Sequence, residues 1–311
     1  MTLRRIFLFT VSAIALTAAS LWIGEQAYSW FPPQAAAESH LIDELFSFLT
    51  TLGAFIFLGV TGTLLYAVFF HRAAKYDYSD GPHIEGNITL EIVWTAIPIL
   101  LVVWIAAYSY QVYDQMAIRG PMEMMHIHLP KLGMEVAHAA PWSKKVQPVE
   151  SEEVSSLPTD IEVTAKQWAW IFTYPEKNFT SSELHLPTNQ RVKLTLKSED
   201  VLHGFYIPEF RVKQDIIPKQ DIDFEFTPIR PGSYTLTDSQ FSGTYFAANT
   251  AKVVVESPED YKRWLSKAAS HKPTPAPNQA AEEYAAASHR PIKTGWATVV
   301  PAAPPLVNYP G

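Results

Sequence analysis

Apolar positions are laid out in two ways along this chain. The first third holds long uncharged runs, whereas between residues 160 and 256 apolar and polar side chains alternate. Arg4 and Arg5 precede an uncharged run over residues 6–24, and two more extend over 45–70 and 92–113. A helix rises about 1.5 Å per residue, so each run is long enough for ~30 Å of hydrocarbon. Residues 1–24 read as a signal anchor, or alternatively as a signal peptide ended by the small residues Ala35, Ala36 and Ala37. The next two runs predict a transmembrane hairpin within residues 40–115. Its short loop begins His71, Arg72, Ala73, Ala74, Lys75, and these cations, with Arg4 and Arg5, put the N-terminus and loop on the cytoplasmic side. Everything after Asp114 then lies outside. Pro98 falls inside the last span and is expected to bend it.

Period-two segments follow, VKLTL at 192–196, IDFEF at 222–226 and YTL at 234–236, separated by turn signals such as Leu186-Pro187-Thr188-Asn189 and Arg230-Pro231-Gly232-Ser233. Short half-buried strands in such succession predict a Greek-key β-sandwich over residues 159–257. Ser257 as N-cap, Pro258 at the first position and acids in the first turn open a short helix over 258–270. Beyond it, eight prolines in residues 271–311 leave no core-forming pattern, so a disordered or surface-draped Pro/Ala-rich tail is expected.

Composition changes the picture in two respects. A formal net charge of −7 argues against nucleic acid as a partner. The absence of cysteine excludes disulfides, zinc–thiolate sites, thiol nucleophiles and lipid attachment through an N-terminal cysteine. No hydrolytic triad, phosphate loop or nucleotide fingerprint occurs. The linker over 116–158 gathers Met122, Met124, Met125, Met134, His126, His128 and His138. Thioethers and imidazoles suit copper(I), but the spacing is irregular, and packing on a neighbouring subunit or lipid is the plainer reading. Glu91 stands at a membrane boundary, where a carboxylate is either a proton-handling group or a solvated cap at a helix N-terminus.

Two segments, DVLHGFYIPEFRVKQDIIP around His203 and SYTLTDSQFSGTYFAANTAKVVV over residues 233–255, resemble the copper-binding end of subunit II of haem-copper terminal oxidases. The stretch DGPHIEGNITLEIVWTAIP over 80–98 resembles the same family, in particular its cyanobacterial branch, and so does KQWAWIFTYPE, expected to be the first strand of the sandwich. The resemblance makes the sandwich a cupredoxin domain. It implies the pattern Cys-x-Glu-x-Cys-Gly-x-x-His-x-x-Met, which aligned on Gly243 places Asp238, Gln240, Ser242, Phe246 and Asn249 at the ligand positions. Only His203, at the first ligand position, is kept. A mixed-valence copper pair needs two soft thiolates as bridges, so this chain is expected to bind no dinuclear copper, and His203 to be a hydrogen-bonded relic.

The same resemblance implies that Glu91 lies near the mouth of a proton-uptake path in subunit I. It also implies that Trp168, with Trp170 beside it, marks a former entry point for electrons. Without its copper ligands the chain is similar to subunit II of quinol-oxidising enzymes, notably the alternative respiratory terminal oxidase of cyanobacteria. It would be a non-catalytic subunit that binds no cofactor. Haem and the active-site copper would belong to subunit I, the other partners would be subunit III, membrane quinol and lipid, and the enzyme would reduce oxygen to water with proton translocation. The location implied is the bacterial cytoplasmic or thylakoid membrane, with the soluble domain on the periplasmic or lumenal side. Two alternatives stand. One is a cytochrome c oxidase subunit, favoured by 17 Asp/Glu against 10 Lys/Arg in residues 151–260. The other is a membrane-anchored, copper-handling cupredoxin.

Overall fold

The computed structural model of the chain describes residues 3–72, 76, 86–115, 118–119, 158–288 and 298–311. It divides into two compact units, Met1–Ala117 with Pro208–Arg211, and Ile118–Ile207 with Val212–Gly311. The methionines and histidines singled out in the linker lie outside the described residues.

In the first unit, α1 (Leu3–Gln26), α2 (Ser39–Phe70) and α3 (Ile88–Gln115) each carry a stretch apolar enough to cross a membrane, and those stretches bury almost nothing within the chain. Helices apolar all round and uncovered by their own protein belong in hydrocarbon. α1 lies close on α2. Ser47 Oγ donates to the Gly24 carbonyl at 2.8 Å, and a Cβ on Gly24 would stand 1.8 Å from Thr51 Oγ1, so only glycine permits the approach. α2 begins at Ser39 rather than near residue 45 because its first turns are held by polar contacts. Asp43 is buried and accepts from Gln34 Nε2 at 2.7 Å and from Arg211 Nε at 2.7 Å, and that guanidinium also covers the Phe31 ring.

The second unit is a β-sandwich. Its strands are β1 (Ile118–Arg119), β2 (Thr159–Lys166), β3 (Ala169–Tyr174), β4 (Phe179–Ser181), β5 (Leu184–Pro187), β6 (Val192–Ser198), β7 (His203–Ile207), β8 (Val212–Ile216), β9 (Ile222–Phe226), β10 (Gly232–Asp238) and β11 (Thr250–Glu256). They form one sheet in the order β1-β9-β6-β2-β3-β4 and another in the order β5-β11-β10-β7-β8. The pairs β2·β6 and β5·β11 are parallel, which requires the chain to cross between sheets instead of meandering within one. Alternation sets the core: Val192, Leu194 and Leu196 of β6, with Ile222, Phe224 and Phe226 of β9, are fully buried. Trp168, just before β3, and Trp170, Phe172 and Tyr174 within it are buried as well.

α4 (Pro258–Ala269) starts as its residues dictate, with Ser257 Oγ accepting from the Asp260 N–H at 3.1 Å and Pro258 in the first turn. It buries Tyr261, Trp264, Leu265 and Ala268, one face at helical spacing. The Trp264 ring stacks on His185 at 3.8 Å between centroids and meets Tyr174, Phe179 and Tyr309 edge-on.

Of the two expectations for residues 271–311, disordered or surface-draped, the described part follows the second and adds regular elements to it. β12 (Thr274–Pro275) pairs with β13 (Leu306–Val307), and α5 (Gln279–Ser288) lies between them in sequence. The Asn308 and Tyr309 N–H groups both donate to the Thr180 carbonyl on edge strand β4, and the Ser182 N–H donates to the Tyr309 carbonyl. Backbone hydrogen bonds to an open sheet edge need no apolar period, which is why the sequence gives no sign of them. Proline-rich chain is already extended and loses little entropy when held this way.

Trp264→Ala should remove the hub of this ring cluster and destabilise the soluble unit by about 3–5 kcal/mol, while Ser257→Ala should cost about 1 kcal/mol. Denaturant unfolding of the two variants beside the parent measures both.

Candidate functional site

The residues picked out around His203 converge at one end of the sandwich. His203 opens β7, Asp238 closes β10, and in the sheet register Asp238 faces Phe205, two residues beyond His203. The loop from Ser239 returns to β11 through a 3₁₀ turn at Phe246–Ala248, and Asn249 precedes β11. Two glycines let the backbones close. A Cβ on Gly204 would lie 2.2 Å from Ser239 Oγ, and one on Gly243, at φ +120°, would lie 2.8 Å from the Trp168 ring.

Asp238 is the centre of the cluster. Its Oδ2 receives His203 Nδ1 at 2.7 Å, Ser242 Oγ at 2.9 Å and Asn249 Nδ2 at 3.1 Å, while its Oδ1 receives the backbone N–H of Gly204 at 2.7 Å and of Gln240 at 3.1 Å. The other imidazole nitrogen, His203 Nε2, contacts Asp200 Oδ1 at 2.8 Å. The His203 and Asp238 side chains are wholly inaccessible to water. Burial opposes the imidazolium, but the carboxylates on its two nitrogens outweigh burial and raise the His203 pKa from 6.5 to about 9. Both aspartates move down: burial works against each carboxylate, and the bonds from His203 and the backbone N–H groups overcome it. At neutral pH the cluster is a carboxylate–imidazolium–carboxylate triad, with His203 and Asp238 buried and Asp200 reaching the surface.

The remaining positions are placed around it. Trp168 Nε1 donates to Ser242 Oγ at 3.1 Å, Gln167 Nε2 to the Ser242 carbonyl at 2.6 Å, and Trp170 Nε1 to the Asn249 carbonyl at 3.0 Å. The tryptophans therefore brace the loop. Gln240 points its amide to Asp215 Oδ1 at 2.8 Å, and Phe246 is half-buried with its ring edge-on to the exposed Phe241. The Asn249 Oδ1 atom is buried with no hydrogen-bond partner among the described residues. Glu91 belongs to the other unit, exposed in the first turn of α3, where Asn87 Oδ1 accepts the Leu90 N–H at 3.2 Å. The sequence reading missed Asp200. Its only signal was a carboxylate three residues before His203 in the turn Ser198-Glu199-Asp200. A second buried histidine, His185, lies between Glu256 and Glu183, and its hydrogen bond is the main cause holding the Glu183 carboxyl below the usual range.

The linkage has a definite sign. A histidine with a raised folded pKa stabilises fully below its unfolded pKa of 6.5, and that contribution is lost as pH rises through about 9. The aspartates, shifted down, stabilise above the ordinary carboxylate range and lose that effect as pH falls through their folded values. Unfolding free energy should therefore fall between pH 6.5 and pH 9.5, by on the order of 3 kcal/mol, and the fall should vanish in His203→Gln. Denaturant titrations at closely spaced pH values check it.

Comparison with known proteins agrees with this architecture. Residues 24–112 match the family model for the cytochrome c oxidase subunit II transmembrane domain, and residues 143–255 match the cupredoxin-like domain. The chain is 35% identical over 279 residues to cytochrome c oxidase subunit 2 of Synechocystis sp., covering 86% of this chain and 83% of that one. It is 35% identical over 277 residues to the protein of the same name from Thermostichus vulcanus, covering 83% and 84%. It is also 24% identical over 234 residues to quinol oxidase subunit 2 of Bacillus cereus, covering 75% and 69%. With three membrane-spanning helices ahead of a cupredoxin-like sandwich, this chain belongs to the subunit II family of terminal oxidases.

Proposed function

We propose that this chain is subunit II of a terminal oxidase that has lost the dinuclear copper centre and takes its electrons from a membrane quinol. The observation that carries the reading is the hydrogen-bonding of the loop itself. A copper pair asks for two bridging thiolates with imidazole and thioether ligands. Asp238 and Ser242 offer hard oxygens, one of them a hydroxyl that stays protonated at neutral pH, and Phe246 has no lone pair. His203 has both ring nitrogens on carboxylates, and the Asn249 amide donates to Asp238. These residues do not fit a dinuclear copper, and His203, Asp238, Ser242 and the Asn249 amide nitrogen are hydrogen-bonded to one another instead.

On this reading the chain has no redox step of its own. The Asp238 cluster and the two tryptophans hold the loop rigid, and the sandwich stands on the outer side of the membrane beside subunit I, which holds the haem and active-site copper. A lipid-soluble quinol reaches such a haem from the bilayer, whereas a water-soluble cytochrome would need a relay across the gap. Similarity to a quinol oxidase subunit supports this donor. The rival reading, electrons from a soluble cytochrome c, is favoured by the names of the relatives at 35% identity.

Oxygen uptake by the purified oxidase separates the two. Quinol should sustain turnover and reduced cytochrome c should hardly do so, with little response of the quinol rate to ionic strength, because an uncharged donor is not steered. Fast cytochrome c oxidation that declines with added salt would reverse the ranking. Metal analysis of the same preparation should find no copper beyond that assigned to subunit I.

Glu91 is proposed as a proton-handling group at the cytoplasmic membrane face. Asn87 supplies the α3 cap, so Glu91 is not itself the capping residue, although the first turn favours a carboxylate through the helix dipole. Glu91→Gln keeps the size and removes the titratable proton, so oxygen reduction should slow several-fold in an assembled complex. An unchanged rate and pH profile would leave Glu91 as helix surface alone.

A further inference from the structure

The tail is attached at the end of the sandwich that carries the Asp238 cluster. Asn278, itself buried, donates through Nδ2 to the Trp168 carbonyl at 3.2 Å, and the Ala302 N–H donates to the neighbouring Gln167 carbonyl at 2.6 Å. Thr298 Oγ1 meets Thr244 Oγ1, in the loop between Asp238 and Asn249, at 2.6 Å. Two successive carbonyls are thus each taken by a donor from the tail. The strap is fastened again at its far end. Asn308 Oδ1 accepts the Thr180 N–H at 3.1 Å while its Nδ2 donates to the His271 carbonyl at 2.6 Å, and the Tyr309 ring packs on Trp264 and His185. Beneath it Trp168 keeps only 2% of its surface exposed.

The chemistry of the strap differs from that of the domain it covers. Residues 273–281 and 298–311 contain no charged side chain and are stiffened by prolines at 273, 275, 277, 301, 304, 305 and 310. The sandwich region carries an acidic balance that would attract a basic protein. The uncharged, proline-stiffened stretches that make these attachments, 273–278 and 298–311, are cheap to order. They remove from the rim the close, complementary contact that even a weak redox encounter needs.

We propose that residues 271–288 and 298–311 form a fixed strap that denies the Trp168 end of the sandwich to a water-soluble protein donor. The proposal deepens the quinol reading and rests on it for its purpose.

The test uses the assembled oxidase with a small basic cytochrome c as probe, in the parent chain, in a chain truncated after Ser270 and in the double variant Asn278→Ala/Asn308→Ala, which loosens the strap without deleting it. Hydrogen exchange in the parent should show the Ala302, Asn308 and Tyr309 amides protected at least about a hundredfold, and free exchange at these amides would overturn the strap. In the truncated chain, which lacks the strap altogether, and in the double variant where these amides exchange freely, cytochrome affinity at low salt should rise roughly tenfold, with quinol oxidation unchanged. Unaltered affinity once the strap is loose would overturn the proposal while leaving the quinol reading intact. Rapid cytochrome c oxidation by the parent would instead reject the quinol reading, and the strap would still be judged by the affinity change on loosening.

Discussion

The soluble unit depends on one carboxylate. Asp238 sits at the end of a central strand, fully out of water, and accepts from five donors that belong to the start of β7, the returning loop and the approach to β11. An ionised carboxylate in such a place is tolerable only when every lone pair is engaged and a cation is at hand. The imidazolium of His203 supplies that charge, and Asp200 completes it from the other side. Loop position, tryptophan bracing and strap attachment follow, since Ser242, Gly243 and Thr244 are presented to Trp168, Gln167 and Thr298 only while the loop stays anchored to Asp238.

The sandwich and the spans were legible because burial writes a period into sequence. VKLTL and IDFEF became the buried strands β6 and β9, and the uncharged runs became α1, α2 and α3. The convergence of His203, Asp238, Ser242 and Asn249 was legible from the resemblance, through the spacing of the loop. What those residues do to one another was not. Sequence showed an aspartate where a soft ligand was expected, but not that the aspartate would face the histidine or that Asp200 would take the second nitrogen. Such pairing depends on where a turn ends, and turns carry no period. The tail was legible as a surface-draped segment but its attachment was not, because its hold on β4 uses main-chain groups, which every residue has.

Close approach also recurs in both units. Gly24 lets α1 touch α2 at Thr51, and Gly204 and Gly243 let the loop touch β7 and the Trp168 ring. In each case a hydroxyl or an aromatic ring occupies the space of the missing Cβ, so the contacts are specific as well as near. A polar hydrogen bond from Ser47 to Gly24, near the end of α1, helps to fix the register of α1 on α2.

A carboxylate with five donors also governs how such a site can change by descent. Exchanging Asp238 for cysteine would at once leave a charged imidazole, an amide, a hydroxyl and two backbone N–H groups without their acceptor, each at a cost of about 1–3 kcal/mol. No compensating metal could be gathered until Ser242, Phe246 and Asn249 had changed as well. Every single exchange toward such a ligand set lowers stability before any new chemistry appears. On the proposed reading, the five donors around Asp238 would thus act as a ratchet that keeps such a subunit from regaining a metal one residue at a time.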